Sequence, residues 1–232
     1  QAIPPLEEAV RLKPDSPDYL NALAQSYEAG GRSAQKTERL YQHALQIQPA
    51  AADVRVNYGR FLQAEGRVKE AARQYRKAAK EQPWLATTHY NLGTAYLQQG
   101  SVRKGVDALK RAVELRPGYA QALGNLGAVY AQRGFPERAR SYFEQALEAA
   151  PESAVALGNL GSFYLNRGER ERAVELLRRA VEADSQYVDG AESLALAYFR
   201  GEQYERARRY ARRTLELDPN NERAQQIMRA LP

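Results

Sequence analysis

The sequence predicts an all-α fold: a solenoid of stacked helix-turn-helix repeats. Three observations carry that prediction. The run Tyr90 to Gly100, "YNLGTAYLQQG", returns 34 residues on as "GNLGAVYAQRG" (124–134) and again as "GNLGSFYLNRG" (158–168), with a looser copy, "VNYGRFLQAEG" (56–66), 34 residues earlier. Apolar or small residues recur at spacings of three and four, as at His89, Leu92, Gly93 and Tyr96 and then Val102, Gly105, Leu109, Ala112 and Val113. That is a helical stripe, and no stretch alternates with the period of two that a strand requires. Glycine and proline punctuate the copies at fixed places. A constant period of this length marks chains that grow by stacking units rather than by enlarging one core.

Taken in order, residues 1–16 match the second helix of a truncated repeat. The missing partner helix would leave an open face suited to self-association, and the natural protein is expected to continue before Gln1. Six repeats follow, at 17–51, 52–85, 86–119, 120–153, 154–187 and 188–221. Gly31, Gly66, Gly100, Gly134 and Gly168 stand between the two helices of a repeat, where a left-handed residue ends a helix cheaply. Pro49, Pro83, Pro117, Pro151 and Pro219 follow the second helices and stop them. Repeat one is a residue longer, and the excess falls in "AGGRSAQ", which predicts a bulged turn. Repeat five has Ser185 in place of proline. Repeat six is expected to turn one residue early, at Gly201, and carries Thr214 where alanine is usual. Residues 222–232 close the chain with Ala224, Ile227, Met228 and Leu231 on one stripe of an otherwise polar capping helix. Within the repeats, Gly59, Gly93, Gly127 and Gly161, with Ala71, Ala139, Ala173 and Ala207, let helix axes approach. Tyr96, Tyr130, Tyr164 and Tyr198 fill the spaces between pairs.

Composition limits the chemistry. Cysteine is absent from the 232 residues, so no disulfide, thiolate nucleophile or Cys-ligated metal is available. The only histidines, His43 and His89, fall in different repeats and form no metal-ligand pattern. No Ser or carboxylate has a recognisable base beside it, so no catalytic residue, cofactor or metal is assigned and the chain is read as non-enzymatic. No apolar run approaches the ~18 residues of a membrane span, which predicts a soluble segment; cytoplasm and periplasm both stay open. The net charge of +6 sits in the first half, where residues 1–117 hold 18 Lys/Arg against 12 Asp/Glu while 118–232 hold 16 of each. Acids intersperse those cations and no nucleic-acid motif accompanies them, so nucleic acid is not the expected partner.

Repeat four shows Leu123, Leu126, Gly127, Tyr130, Ala139, Phe143, Ala146 and Pro151 at the positions of a W-x2-L-G-x2-Y…A…F…A…P skeleton. By these residues the chain resembles the tetratricopeptide-repeat family along nearly its whole length. The resemblance implies a right-handed superhelix whose first helices line a concave groove, with a protein or an extended peptide lying in it.

On the first helix of repeat four, Gln121, Asn125, Ala128 and Gln132 fall opposite the packed stripe. The equivalents in repeat three are Thr87, Asn91, Thr94 and Gln98, and in repeat five Val155, Asn159, Ser162 and Asn166. This strip carries no charge in a chain whose second helices are dense with Arg and Glu. Asn57, Asn91, Asn125 and Asn159 keep one place in four successive repeats; Ala22 and Ser193 replace it in repeats one and six. A side-chain amide both donates and accepts, so it can pair with the N–H and C=O of an extended chain. The arrangement resembles the asparagine ladder of O-linked N-acetylglucosamine transferases. Equally, the same amides can bond neighbouring helices. Tyr90, Leu97, Leu165 and Phe199 stand beside the strip as candidate apolar contacts, and Gly124 and Gly158 would leave room there. The carboxylate clamp of chaperone-binding relatives is not expected, because Asn21, Val56, Tyr90, Gly124 and Gly158 occupy the places of its cations. Trp84, Tyr119 and Tyr187, at repeat junctions, are expected to staple the incoming chain. The sequence thus points to a non-enzymatic interaction scaffold; its alternatives are the substrate-presenting arm of a glycosyltransferase-like enzyme and a structural scaffold of a secretion or polysaccharide-export assembly.

Overall fold

A computed structural model describes residues 3–232; Gln1 and Ala2, the first two positions of the expected truncated helix, lie outside the described residues. Those residues form fourteen helices and, among them, no strand. The chain divides into two compact bodies, Gln1–Pro117 and Gly118–Pro232.

The N-terminal body contains α1 (Ile3–Leu12), α2 (Pro17–Ala29), α3 (Ala34–Ile47), α4 (Ala52–Ala64), α5 (Val68–Glu81), α6 (Ala86–Gln98) and α7 (Val102–Leu115). Turns of three residues join α4 to α5 and α6 to α7, whereas four residues, 30–33, join α2 to α3. The extra residue of "AGGRSAQ" is therefore absorbed outside both helices. Each pair packs on itself, and successive first helices also pack, α2 on α4 and α4 on α6. Close approach within a pair is enforced by glycine: a Cβ on Gly59 would lie 2.5 Å from the Tyr75 ring, and one on Gly93 2.8 Å from Leu109. Tyr41 and Tyr75 are wholly buried, and Tyr41 stacks on Tyr58 at 5.6 Å. Their hydroxyls are not stranded, since Tyr41 donates to Glu28 at 3.2 Å and Tyr75 to Gln63 at 3.0 Å.

The C-terminal body contains α8 (Ala120–Gln132), α9 (Pro136–Ala149), α10 (Ala154–Asn166), α11 (Arg170–Ala183), α12 (Val188–Arg200), α13 (Tyr204–Leu217) and α14 (Glu222–Ala230). First helices again pack in succession, α8 on α10, α10 on α12 and α12 on α14. A Cβ on Gly127 would meet Phe143 at 2.7 Å and one on Gly161 would meet Leu177 at 2.8 Å. Ser185 changes nothing locally: α11 ends at Ala183, two residues before it, as α9 ends two before Pro151. Thr214 is fully buried and satisfies its hydroxyl by donating to the Tyr210 carbonyl at 2.9 Å.

Two expectations are corrected. The sixth repeat does not turn early: Gly201 has φ −96° and the left-handed residue is Glu202, with φ 57°, in the register of Gly168 at φ 79°. Hydrogen bonding of Gln203 N–H to the Tyr198 carbonyl, matching Glu169 to Tyr164, holds that register against the cost of a side chain there. Trp84 does not act as a staple, since it is 65% exposed, whereas Tyr119 is buried.

Candidate functional site

The first helices place the strip by an ordinary helical rule: residues opposite the packed stripe stay partly open. In the N-terminal body Thr87 and Gln98 are exposed, and Asn57, Tyr90, Asn91 and Thr94 are half-buried. Asn57 Nδ2 donates to Asn21 Oδ1 at 3.1 Å, joining α4 to α2. Gln98 accepts from Gln63 at 2.7 Å, and the Thr94 hydroxyl donates to the Asn91 carbonyl at 2.9 Å. Asn57 thus has the helix-bonding role here, and Gln63 and Gln98 bridge α4 and α6.

In the C-terminal body Gln121, Gln132 and Asn166 are exposed and Asn125, Asn159 and Ser162 half-buried. Four of these six come together. Gln132 of α8 and Asn159, Ser162 and Asn166 of α10 line one pocket of about 710 Å³, with Phe143 and Phe163 at its base. Asn125 and Gln121 are not in its lining. The Asn159 amide is seated by the preceding first helix, its Nδ2 lying 3.2 Å from where a Cβ on Gly124 would stand. Ser162 hydrogen-bonds Ser193 of α12 at 2.9 Å. Arg167, at the C-terminal end of α10, adds a cation with its guanidinium 5.9 Å from the Phe163 ring centre. The pocket therefore offers amides and a hydroxyl over an apolar floor, the composition of a site that fixes orientation with few polar groups. The lining holds no His, Asp or Glu, and among the described residues no group of three or more His, Asp or Glu could hold a metal.

The glycines do not leave open room for a ligand. The space over Gly124 is taken by the Asn159 amide, and a Cβ on Gly158 would lie 2.4 Å from the ring of Tyr187, which also rests on Gly190. Burial, with Asp189 nearby, pushes the Tyr187 phenol up to about 12. Of the apolar candidates, Leu165 is buried at 4% exposure, and the half-buried Leu97 is turned onto Gly105. Phe199 packs against Tyr204, ring centres 6.2 Å apart. Arg167 and the Phe143–Phe163 floor were missed by the sequence reading. Arg167 lies four residues after Phe163, a spacing that sets both on one side of a helical turn. His43 pairs with Asp15 at 3.3 Å and His89 with the Pro83 carbonyl at 3.0 Å, both local structural contacts.

Comparison with known proteins places the repeats. A family described as tetratricopeptide repeat matches residues 85–152 and 118–186, one described as TPR repeat matches 59–100, and the Fis1 C-terminal tetratricopeptide repeat matches 193–231. No curated protein matches the sequence significantly. Among solved structures, the chain is similar to one in the APC/C hetero-tetramer Cut9–Hcn1, with a TM-score of 0.83 and 18% identity, over 97% of this chain and 44% of that one. It thus spans less than half of that chain. It is similar to pilF of Pseudomonas aeruginosa, with a TM-score of 0.76 and 21% identity, over 92% and 96% of the two chains. YrrB, described as a TPR protein with an unusual peptide-binding site, gives a TM-score of 0.57 and 20% identity over 82% and 97%. At these identities the likeness is one of fold. Among the described residues no helix is long and apolar enough to cross a membrane. The chain has an all-α helical-repeat fold, and tetratricopeptide repeats are detected in it over residues 59–186 and 193–231.

Proposed function

We propose that this protein is a non-enzymatic interaction scaffold that holds an extended segment of a partner protein along its first helices. The observation that carries this reading is the pocket of the C-terminal body, where Gln132, Asn159, Ser162 and Asn166 converge over Phe143 and Phe163. Amides at this place would pair with the backbone of the bound segment, so sequence would matter less than extension, while the aromatic floor would take one apolar side chain. Arg167 on the rim would favour a carboxylate or carbonyl of the segment near the end of α10. Asn91 and Asn125 are further candidate rungs in their own bodies; Asn57 is left out, since its amide is already spent on Asn21.

The test is selection of displayed unstructured peptides on the whole protein, followed by affinity measurements with Asn159→Ala, Asn166→Ala and Gln132→Ala. Each is expected to weaken a selected peptide by about three- to tenfold, in the range of one lost hydrogen bond. Circular dichroism checks that the helices remain. Peptides that bind all three variants as tightly as the parent would remove the pocket from the reading.

A further inference from the structure

A second pocket, of about 230 Å³, lies within the N-terminal body on the side of the second helices. Lys69, Arg73 and Arg76 of α5 and Lys104 of α7 surround Tyr96 and Gln99 at the end of α6, with the buried Ala72 beneath them. All four cations are exposed, and among the described residues none makes an ion pair or hydrogen bond; Lys104 has only the Tyr96 ring, 5.8 Å away. Two neighbouring acids are hydrogen-bonded elsewhere, although the charge of Arg73 also acts on Glu70. Glu70 is held by two hydrogen bonds from Arg67, both 2.8 Å, and Glu81 pairs with Arg55 at 3.2 Å. Lys77 and Lys80 extend the exposed basic run along α5, and Arg103 and Lys110 extend it along α7, against a single unpaired acid, Asp107.

The C-terminal body has a basic pocket too, and it is built differently. Arg208, Arg209, Arg212 and Arg213 share its lining with Glu205 and Glu216. Arg208 bonds Glu205 at 2.9 Å and the Pro232 carbonyl at 2.8 Å, and Arg213 bonds the Ser185 carbonyl at 2.7 Å. That pocket ties down two of its four arginines, Arg208 and Arg213. The other leaves four like charges facing one cavity, where their mutual repulsion opposes folding and an anionic occupant would relieve it.

We propose that the pocket between α5, α6 and α7 docks an acidic, Asp/Glu-rich segment of a partner protein. Arg forks and mobile Lys donors match carboxylates, and the run along α5 and α7 is long enough to follow several of them. Nucleic acid fits less well. Its single-stranded form needs aromatic platforms, and the one ring here, Tyr96, is half-buried beneath Lys104. A membrane surface fits less well too, since the lining offers no exposed apolar side chain to insert. This site is independent of the amide pocket, and each can fail without the other.

The experiment is fluorescence anisotropy of labelled decaglutamate with the whole chain. Binding is expected to weaken about tenfold or more between low salt and about 0.3 M NaCl, where screening is short-ranged. The pair Arg73→Gln/Arg76→Gln is expected to cost about tenfold, and Lys69→Gln/Lys104→Gln a similar factor, as charged hydrogen bonds are removed. The pair Arg208→Gln/Arg209→Gln, with the same change in net charge, should cost less than about twofold. Equal losses in all three pairs would reduce the effect to net charge and overturn the site. It would likewise be overturned by no binding of decaglutamate, by tighter binding of a ten-nucleotide oligothymidylate, or by phosphatidylserine vesicles that sediment the parent but not the Arg73/Arg76 pair.

Discussion

Asn57 Nδ2 donates to Asn21 Oδ1 at 3.1 Å, and Asn21 is only 9% exposed. An asparagine that recurs with the repeat period therefore serves, at this one copy, to bond two successive first helices. Asn57→Ala would leave a buried acceptor without its partner and is expected to cost about 1–2 kcal/mol. Asn125, half-buried and without a hydrogen bond from its amide among the described residues, is expected to tolerate alanine within about 0.5 kcal/mol. Urea unfolding of both variants checks the contrast; equal costs would mean that the period, and not the contact, sets the requirement.

Tyr187 rests where side chains at Gly158 and Gly190 would stand, 2.4 Å from either Cβ position. Gly158→Ala is expected to cost about 1–3 kcal/mol, because α10 and α12 must yield or the ring must leave its rotamer. In a Tyr187→Ala background the same substitution should cost under about 0.5 kcal/mol, which a double-mutant cycle would measure. Gly127→Leu, facing Phe143 at 2.7 Å, should be the more severe change and loosen α8 from α9.

Glu202 takes a left-handed conformation that glycine takes in the other five turns. Glu202→Gly should stabilise the protein by about 1 kcal/mol, the steric cost of a Cβ at positive φ less the entropy that glycine adds to the unfolded chain. Gly168→Ala, at φ 79° with nothing within 4 Å of the new Cβ, should cost a similar amount from backbone strain alone. Thermal unfolding of the two variants separates strain from clash.

Burial, and then the hydrogen bond to Glu38, pushes the Tyr58 phenol up to about 12, from an ordinary value of 10.0. The folded value is raised, so the associated stability is fully present below pH 10 and is lost as pH rises through 12. Melting temperature followed by circular dichroism should fall across that window. In Tyr58→Phe the fall should be shallower, since one shielded phenol has gone. An identical slope in the variant would assign the alkaline loss to other groups, Tyr187 among them.

The amide pocket and the acidic-segment site rest on different helices. Peptides selected for the amide pocket should bind Arg73→Gln/Arg76→Gln unchanged, within about twofold, because that pair lies in the other body. A large loss would show that a single ligand needs both surfaces.

The sequence by itself determined the helices, their pairing and the close approach within each pair. Those features are set along one chain direction: a stripe of apolar residues, a glycine against a ring, a turn every 34 residues from 66 to 168. The uncharged strip was legible for the same reason, since facing outward is a property of one helix. Which space each outward residue finds is not. Asn159 sits on Gly124, Tyr187 covers Gly158, Leu165 turns inward and Trp84 outward, each fixed by what a neighbouring helix presents. Glu202 keeps a register that its own side chain disfavours, because the hydrogen bond across the turn outweighs the local cost. The four cations around Tyr96, none of them in an ion pair or hydrogen bond among the described residues, were likewise hidden in a sequence where acids stand close by. Only the folded chain shows that Arg67 and Arg55 have already claimed Glu70 and Glu81, and that distance in space, not in sequence, decides which charges are left over.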